Sequence, residues 1–285
     1  MMLKRAIDAA KENQPISTTG MFAHTYYWLT SPSGDQSYQN PSSQKDQKKE
    51  LETAVYFIHG TADQPAAFQR IARRMIRAGL PNEISSLNLI AFDQRYKGKN
   101  IEFFAEELGK KIVGNKHQRV ILIAHSRGGL VAAHFAEYLA KTLGIEVICI
   151  VTIGTPFNGS YLAMKPLSLF SDSVKEMEIG SEFLETLKQK IVENPASKYY
   201  FVVATEDSVV PGKSGYIEDY VKNNPNSLIE LDRHGHLSIM SSHRLVALIV
   251  DWVHHYFNSI PKQSDAVIIS KVSELTIIED YTPKT

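Results

Sequence analysis

Continuous apolar runs without polar alternation dominate the middle of this chain and restrict it to one kind of architecture. Ala54–Ile58, Val120–Ala124, Ile145–Ile153 and Tyr199–Thr205 read as strands, with Ser86–Phe92 and Ser227–Leu231 as two more. A strand that is apolar along its length is buried on both faces, the situation of a parallel sheet covered by helices. The segments between the runs supply those helices. Pro65–Ala78 sets Phe68, Ile71, Ala72 and Met75 on one amphipathic face. Ile101–Val113 carries Glu102, Glu106 and Glu107 early and Lys110 and Lys111 late, the order that a helix dipole favours. Gly128–Leu143 is a helix closed by Gly144, and Arg244–Phe257 is a long apolar one. The expected fold class is α/β, a mostly parallel sheet with helices on both faces.

Three segments stand outside the alternation. Residues 1–50 read as an accessory segment, with Met21–Thr30 as an edge strand and Gln36–Glu50 as an exposed polar loop. Ser160–Asn194 has many large apolar residues, helical stretches and no strand, so it reads as an inserted helical cap. Residues 259–285 form a tail with two β-like runs, Ala266–Ser270 and Leu275–Ile278. The remainder, 51–258, makes one domain, which a 285-residue chain of 43% hydrophobic composition can fill.

Composition narrows the functional classes. Lys plus Arg and Asp plus Glu both total 31, without the basic excess of a nucleic-acid-binding protein. A single cysteine, Cys149, rules out an intramolecular disulfide framework. The first residues carry charges where a signal-peptide core would need apolar ones, and no stretch is long enough to span a membrane. A cytoplasmic, reducing environment is the expectation. No His/Cys cluster has metal-ligand spacing and no glycine loop would cradle a phosphate, so neither metal nor nucleotide cofactor is expected. The turn Asp93-Gln94-Arg95 is read as loop-fixing. Arg70, Arg73, Arg74 and Arg77 form a strip along one helix. A solvated face is the ordinary reading, and peripheral contact with an anionic membrane surface, or with an acidic substrate group, is the sharper one.

The chemistry concentrates at Ile123-Ala124-His125-Ser126-Arg127-Gly128-Gly129. A strand delivers the chain to Ser126 and a helix leaves at once. Such a turn exposes a strained serine hydroxyl above the sheet and needs small residues two positions to either side. Ala124 and Gly128 meet that need. A helix N-cap serine alone would not require the small-residue frame.

From this turn outward, roughly Ala54 to Phe257, the chain resembles the α/β-hydrolase superfamily and, within it, lipase-like serine esterases. Alanine rather than glycine at the first small position is a mild departure, one also met in some bacterial lipases. Four more stretches fall in the order the resemblance implies. Val55–Thr61 looks like the strand and turn that supply half of an oxyanion hole. Thr152–Ser160 resembles the segment that follows the next strand in lipases. Thr205–Pro211 looks like an acid turn, and His234-Gly235-His236-Leu237-Ser238 like a histidine loop.

The resemblance implies Ser126 as nucleophile, His236 as base and Asp207 as the acid that orients it, with the backbone N–H groups of Thr61 and Arg127 as oxyanion donors. Glu206 and Asp232 compete with Asp207, and His234 competes with His236. The order Gly–His–Leu favours His236, and the residues after Asp207 match the acid turn. His59 is read as bracing its loop. His125 is assigned packing or substrate contact, and Leu167 and Phe170 of the cap are assigned to the substrate route. The implied activity is cleavage of carboxylic esters of small molecules or lipids through an acyl-enzyme. An acyltransferase with the same triad and a catalytically silent binding module are the alternatives.

Overall fold

A computed structural model describes residues 26, 29–30, 32, 34–43, 52–61, 63–92, 98–160 and 171–259. Its centre is a seven-stranded sheet made of β1 (Gln36–Gln39), β2 (Thr53–Ile58), β3 (Ile84–Ile90), β4 (Arg119–His125), β5 (Glu146–Ile153), β6 (Lys198–Ala204) and β7 (Leu228–Leu231). The strand order is β1-β3-β2-β4-β5-β6-β7. β1 runs antiparallel to β3 and every other pair is parallel.

The helices are α1 (Gln69–Ala78), α2 (Ile101–Gly114), α3 (Arg127–His134), α4 (Asp172–Glu176), α5 (Glu182–Glu193), α6 (Glu218–Asn223) and α7 (His243–Ser259). Their starts follow local chemistry. The Asn100 side chain accepts from Phe103 N at the head of α2. Ser181 does the same for Leu184 N at the head of α5. Both satisfy donors that a helix start leaves open.

Period-two geometry explains the continuous apolar runs. Ala54, Tyr56 and Ile58 of β2 and Val120, Leu122 and Ala124 of β4 face one core, shared with α2, α3 and α5. Val55 and Phe57, with Ile121 and Ile123, face the opposite core under α1 and α7. Successive side chains leave a strand on opposite sides, so a strand covered twice must be apolar at each step.

Several expectations are corrected. The edge strand is β1, inside the stretch expected to be a polar loop, and Tyr26, Leu29 and Thr30 of Met21–Thr30 are helical. The helix after Ser126 is not uniform: α3 passes into a π-helical turn at Phe135–Leu139 and a 3-10 turn at Lys141–Leu143 before Gly144 stops it in the left-handed region. The segment expected to be a cap is partly a crossover. Met177, Leu184, Leu187 and Ile191 are buried in the core beside β6, so α5 covers the sheet as any helix linking β5 to β6 must. Asp93-Gln94-Arg95, Leu167, Phe170 and both β-like runs of the tail lie outside the described residues.

Candidate active site

Parallel registry brings five loops to one end of the sheet. Ile58 pairs with Ala124, Ala124 with Thr152, Ile153 with Val202, and Ala204 with Leu231. The C-terminal ends of β2, β4, β5, β6 and β7 therefore finish level with one another, the usual place for a site in such sheets. Backbone bonds continue the ladder past the strands: Ser126 N donates to Ile153 O at 2.9 Å, Gly154 N to Val202 O at 2.9 Å, and Glu206 N to His234 O at 2.9 Å.

Ser126 stands at φ 54°, ψ −130°, between the last residue of β4 and the first of α3. A non-glycine residue there carries strain of about 1–3 kcal/mol, and its neighbours hold it in place. A β-carbon on Gly128 would run into the carbonyl oxygens of Ile58 and His59, and one on Gly129 into Thr155. One on Gly60 would stand 2.9 Å from Ser126 Cβ. The turn and the loop after β2 thus meet backbone to backbone, and Thr61 follows directly on that loop.

Asp207 sits just past β6 with its carboxylate buried. Its Oδ1 accepts from Val209 N and Val210 N, both at 2.8 Å. Its Oδ2 accepts from His236 Nδ1 at 2.8 Å. Because Nδ1 carries the proton in that bond, Nε2 of neutral His236 is left as the basic nitrogen. Gly154 makes room for the pair. It has φ +54°, and a β-carbon there would lie 3.2 Å from Asp207 Oδ2 and 3.3 Å from His236 Nδ1.

The competing residues are placed elsewhere. Glu206 is exposed. Asp232 accepts from the Thr205 hydroxyl at 3.1 Å. His234 is fully buried, with Nδ1 2.6 Å from Asp232 O, and burial lowers its pKa. His59 donates from Nδ1 to Gly60 O at 3.0 Å and meets the Phe92 ring edge-on, which braces the loop after β2.

His125 is 1% exposed and offers a substrate almost no surface. Its Nε2 donates to His236 O at 3.0 Å and its ring packs on that of His236, centroids 4.7 Å apart. Both contacts are packing contacts within the chain. Nothing in the sequence marks a bond between partners so far apart in the chain.

The sequence assigns Arg127 a role through its backbone N–H, which belongs to the first turn of α3 where no helical carbonyl is available. Its side chain adds a feature the sequence did not signal. The guanidinium, 2% exposed, donates to Ser173 Oγ at 3.1 Å and lies 4.3 Å from the centre of the Phe104 ring. Burial pulls its pKa down to about 10, leaving it cationic at neutral pH. Among the described residues, no group of three or more His, Cys, Asp or Glu is arranged to hold a metal ion.

Sheet order, turn geometry and the level strand ends define an α/β-hydrolase fold. Solved structures agree. The mature lipase BlEst2 of Bacillus licheniformis superimposes with a TM-score of 0.51 at 15% identity, covering 78% of this chain and 99% of that one. MGS-MChE2, an alpha/beta hydrolase from a lagoon-sediment metagenome, gives 0.55 at 14% identity, covering 80% and 98%. A monoacylglycerol lipase of Paleococcus ferrophilus gives 0.54 at 13% identity, covering 77% and 97%. At these identities the likeness is one of fold. The chain belongs to the family described as domain of unknown function DUF7379, whose model matches residues 24–168, just over half of its length. No curated protein matches it in sequence.

Proposed function

We propose that the protein is a serine hydrolase that cleaves carboxylic esters through an acyl-enzyme, with Ser126, His236 and Asp207 as its triad. The observation that carries this is the strained Ser126 turn after β4 at the same sheet end as the Asp207–His236 pair, 2.8 Å apart, on the loops after β6 and β7. A bare serine hydroxyl is a weak nucleophile and needs a positioned base. His236 Nε2 takes the Ser126 proton as Oγ attacks the ester carbonyl. The oxyanion that forms is met by the N–H groups of Thr61 and Arg127, each donor worth roughly 3 kcal/mol of barrier. His236 then protonates the departing alkoxide, leaving an acyl ester on Ser126. Water, deprotonated by the same nitrogen, releases the acid. Asp207 stays ionised and stabilises the imidazolium.

The apolar composition of the segment containing Leu167 and Phe170, which lies outside the described residues, supports esters with an acyl chain. The lipases and the hydrolase with the same fold act in support of this assignment. Labelling with a fluorophosphonate probe tests it: the wild-type chain takes up the probe and S126A does not. Equal labelling of both, or none of either with the fold intact, overturns it.

A further inference from the structure

Helix α1 carries a charge pattern that neither its own stability nor the proposed chemistry requires. Arg70, Arg73, Arg74 and Arg77 occupy one face at steps of three and four residues, opposite the buried face of Ile71, Ala72 and Met75. The helix contains no acid. Like charges at these spacings repel, and a cation in the first turn opposes the helix dipole, so the pattern lowers the stability of the helix that bears it.

The fold adds to the cluster. Arg74 reaches across to donate to Ser241 O at 2.7 Å, on the turn that follows the His236 loop. The first turn of α7 opens with exposed His243, which is close enough to Arg74 and Arg70 to feel their charge, and with exposed Arg244 next to it in the chain. His243 has its pKa lowered by burial and further by Arg74 and Arg70. Among the described residues, no ion pair engages Arg70, Arg73, Arg77 or Arg244. A chain with no net charge thus presents a basic face beside the loop that carries its histidine.

We propose that this face docks the protein on an anionic phospholipid bilayer, so that the site works on esters presented at that surface. Docking does not depend on Ser126; the supply of lipid esters rests on the hydrolase function proposed above. A bilayer suits the face better than a nucleic acid does. Helix α1 is packed along its length and cannot enter a groove, and it has no aromatic ring on which a base could stack. A broad array of phosphates needs only a flat spread of cations, each contributing roughly a fivefold gain in partition.

Co-sedimentation of the full chain with vesicles tests this. Vesicles of phosphatidylglycerol and phosphatidylcholine should retain the protein at low salt and release it at high salt, while pure phosphatidylcholine should retain little. R70Q/R73Q/R77Q should lower partition on the order of a hundredfold and R244Q roughly fivefold. All should keep wild-type turnover of a soluble p-nitrophenyl ester, which shows that the fold survives. S126A should dock like the wild type, so loss of its turnover and loss of docking are separately visible. Equal retention on both vesicle types, docking unchanged in the triple variant, or tighter binding to duplex DNA than to anionic vesicles would overturn the proposal.

Discussion

The His125 ring donates to the main-chain carbonyl of His236 across 3.0 Å, so the residue before Ser126 fixes the loop that carries His236. Their rings are also in contact, inclined at 42°. The bond sets the position of the His236 backbone, while Asp207 sets the orientation of its ring. Two different partners therefore hold His236, His125 at its main chain and Asp207 at its ring.

His125→Phe keeps the ring contact and removes the donor. We expect kcat to fall by roughly tenfold to a hundredfold, the range over which a misplaced catalytic group acts, with KM for a small ester little changed. Steady-state kinetics on p-nitrophenyl acetate provide the check. A variant with wild-type kcat would reduce the His125–His236 bond to incidental packing.

Removing members of the proposed triad should cost far more. His236→Ala and Asp207→Asn should each lower turnover by several orders of magnitude, as the loss of a base or of its orienting acid does. His234→Ala should act instead on stability, because His234 is buried away from the pair. Kinetics and denaturant midpoints measured side by side separate the two effects. If His234→Ala were the more damaging to turnover of folded protein, the base would have to be reassigned.

Gly154→Ala examines the space behind the pair. Alanine at φ +54° costs about 1–2 kcal/mol for the backbone alone. Its methyl would also stand 3.2 Å from Asp207 Oδ2 and 3.3 Å from His236 Nδ1, pressing on the bond between them. We expect a lower unfolding midpoint together with at least a tenfold loss of kcat. Loss of stability with unchanged kcat would show that the pair tolerates the intrusion.

The pH dependence of stability has a defined sign. Burial lowers the pKa of His117, His134 and His234 from the ordinary 6.5. The unfolded chain binds these protons first, so the stability they contribute is present above 6.5 and is lost as pH falls through their folded values. Glu137 and Glu176 are raised by burial and act oppositely, losing stability as pH rises above the unfolded 4.5. His134→Phe isolates one share, since the ring already packs on Tyr138 and Phe183. Urea unfolding at pH 7.5 and 5.5 should show a smaller loss for the variant than for the wild type. An identical loss would remove His134 from the account.

The sheet was readable from sequence because double burial forces apolar residues onto consecutive strand positions, as in Ile121–Ala124. The turn at Ser126 was readable because Gly128 has no room for a side chain. Strand β1 was not. Its sequence, Gln-Ser-Tyr-Gln, alternates half-buried with exposed residues at a sheet edge, and its place is secured by backbone pairing with β3, which leaves little trace in side-chain type. His125 was ambiguous for a similar reason, since its partner is a main-chain carbonyl 111 residues away. The role of α5 was missed because an apolar helical stretch reads the same whether it lids a site or crosses a sheet.

That last ambiguity gives a prediction about chain-length preference, because core residues and pocket residues respond differently to change. Leu187 is 1% exposed and sits in the core with Ile191 and Phe201. Leu187→Ala should cost about 2–5 kcal/mol of unfolding free energy and leave the order of preference among esters unaltered. Leu167 and Phe170, outside the described residues, are expected on the acyl route instead. An acyl chain gains about 0.8 kcal/mol for each methylene it buries, so a pocket of that kind raises kcat/KM from acetate toward longer p-nitrophenyl esters until it is filled. Phe170→Asp and Leu167→Asp should flatten that rise, since a carboxylate in the wall disfavours each added methylene while leaving acetate little affected. Measuring kcat/KM across the ester series for the three variants, with unfolding curves for each, distinguishes the roles. A wild-type profile that is highest at acetate and declines with every added carbon would exclude an acyl pocket and leave a small-ester hydrolase. A flattened profile in Leu187→Ala alone would move the pocket wall onto α5.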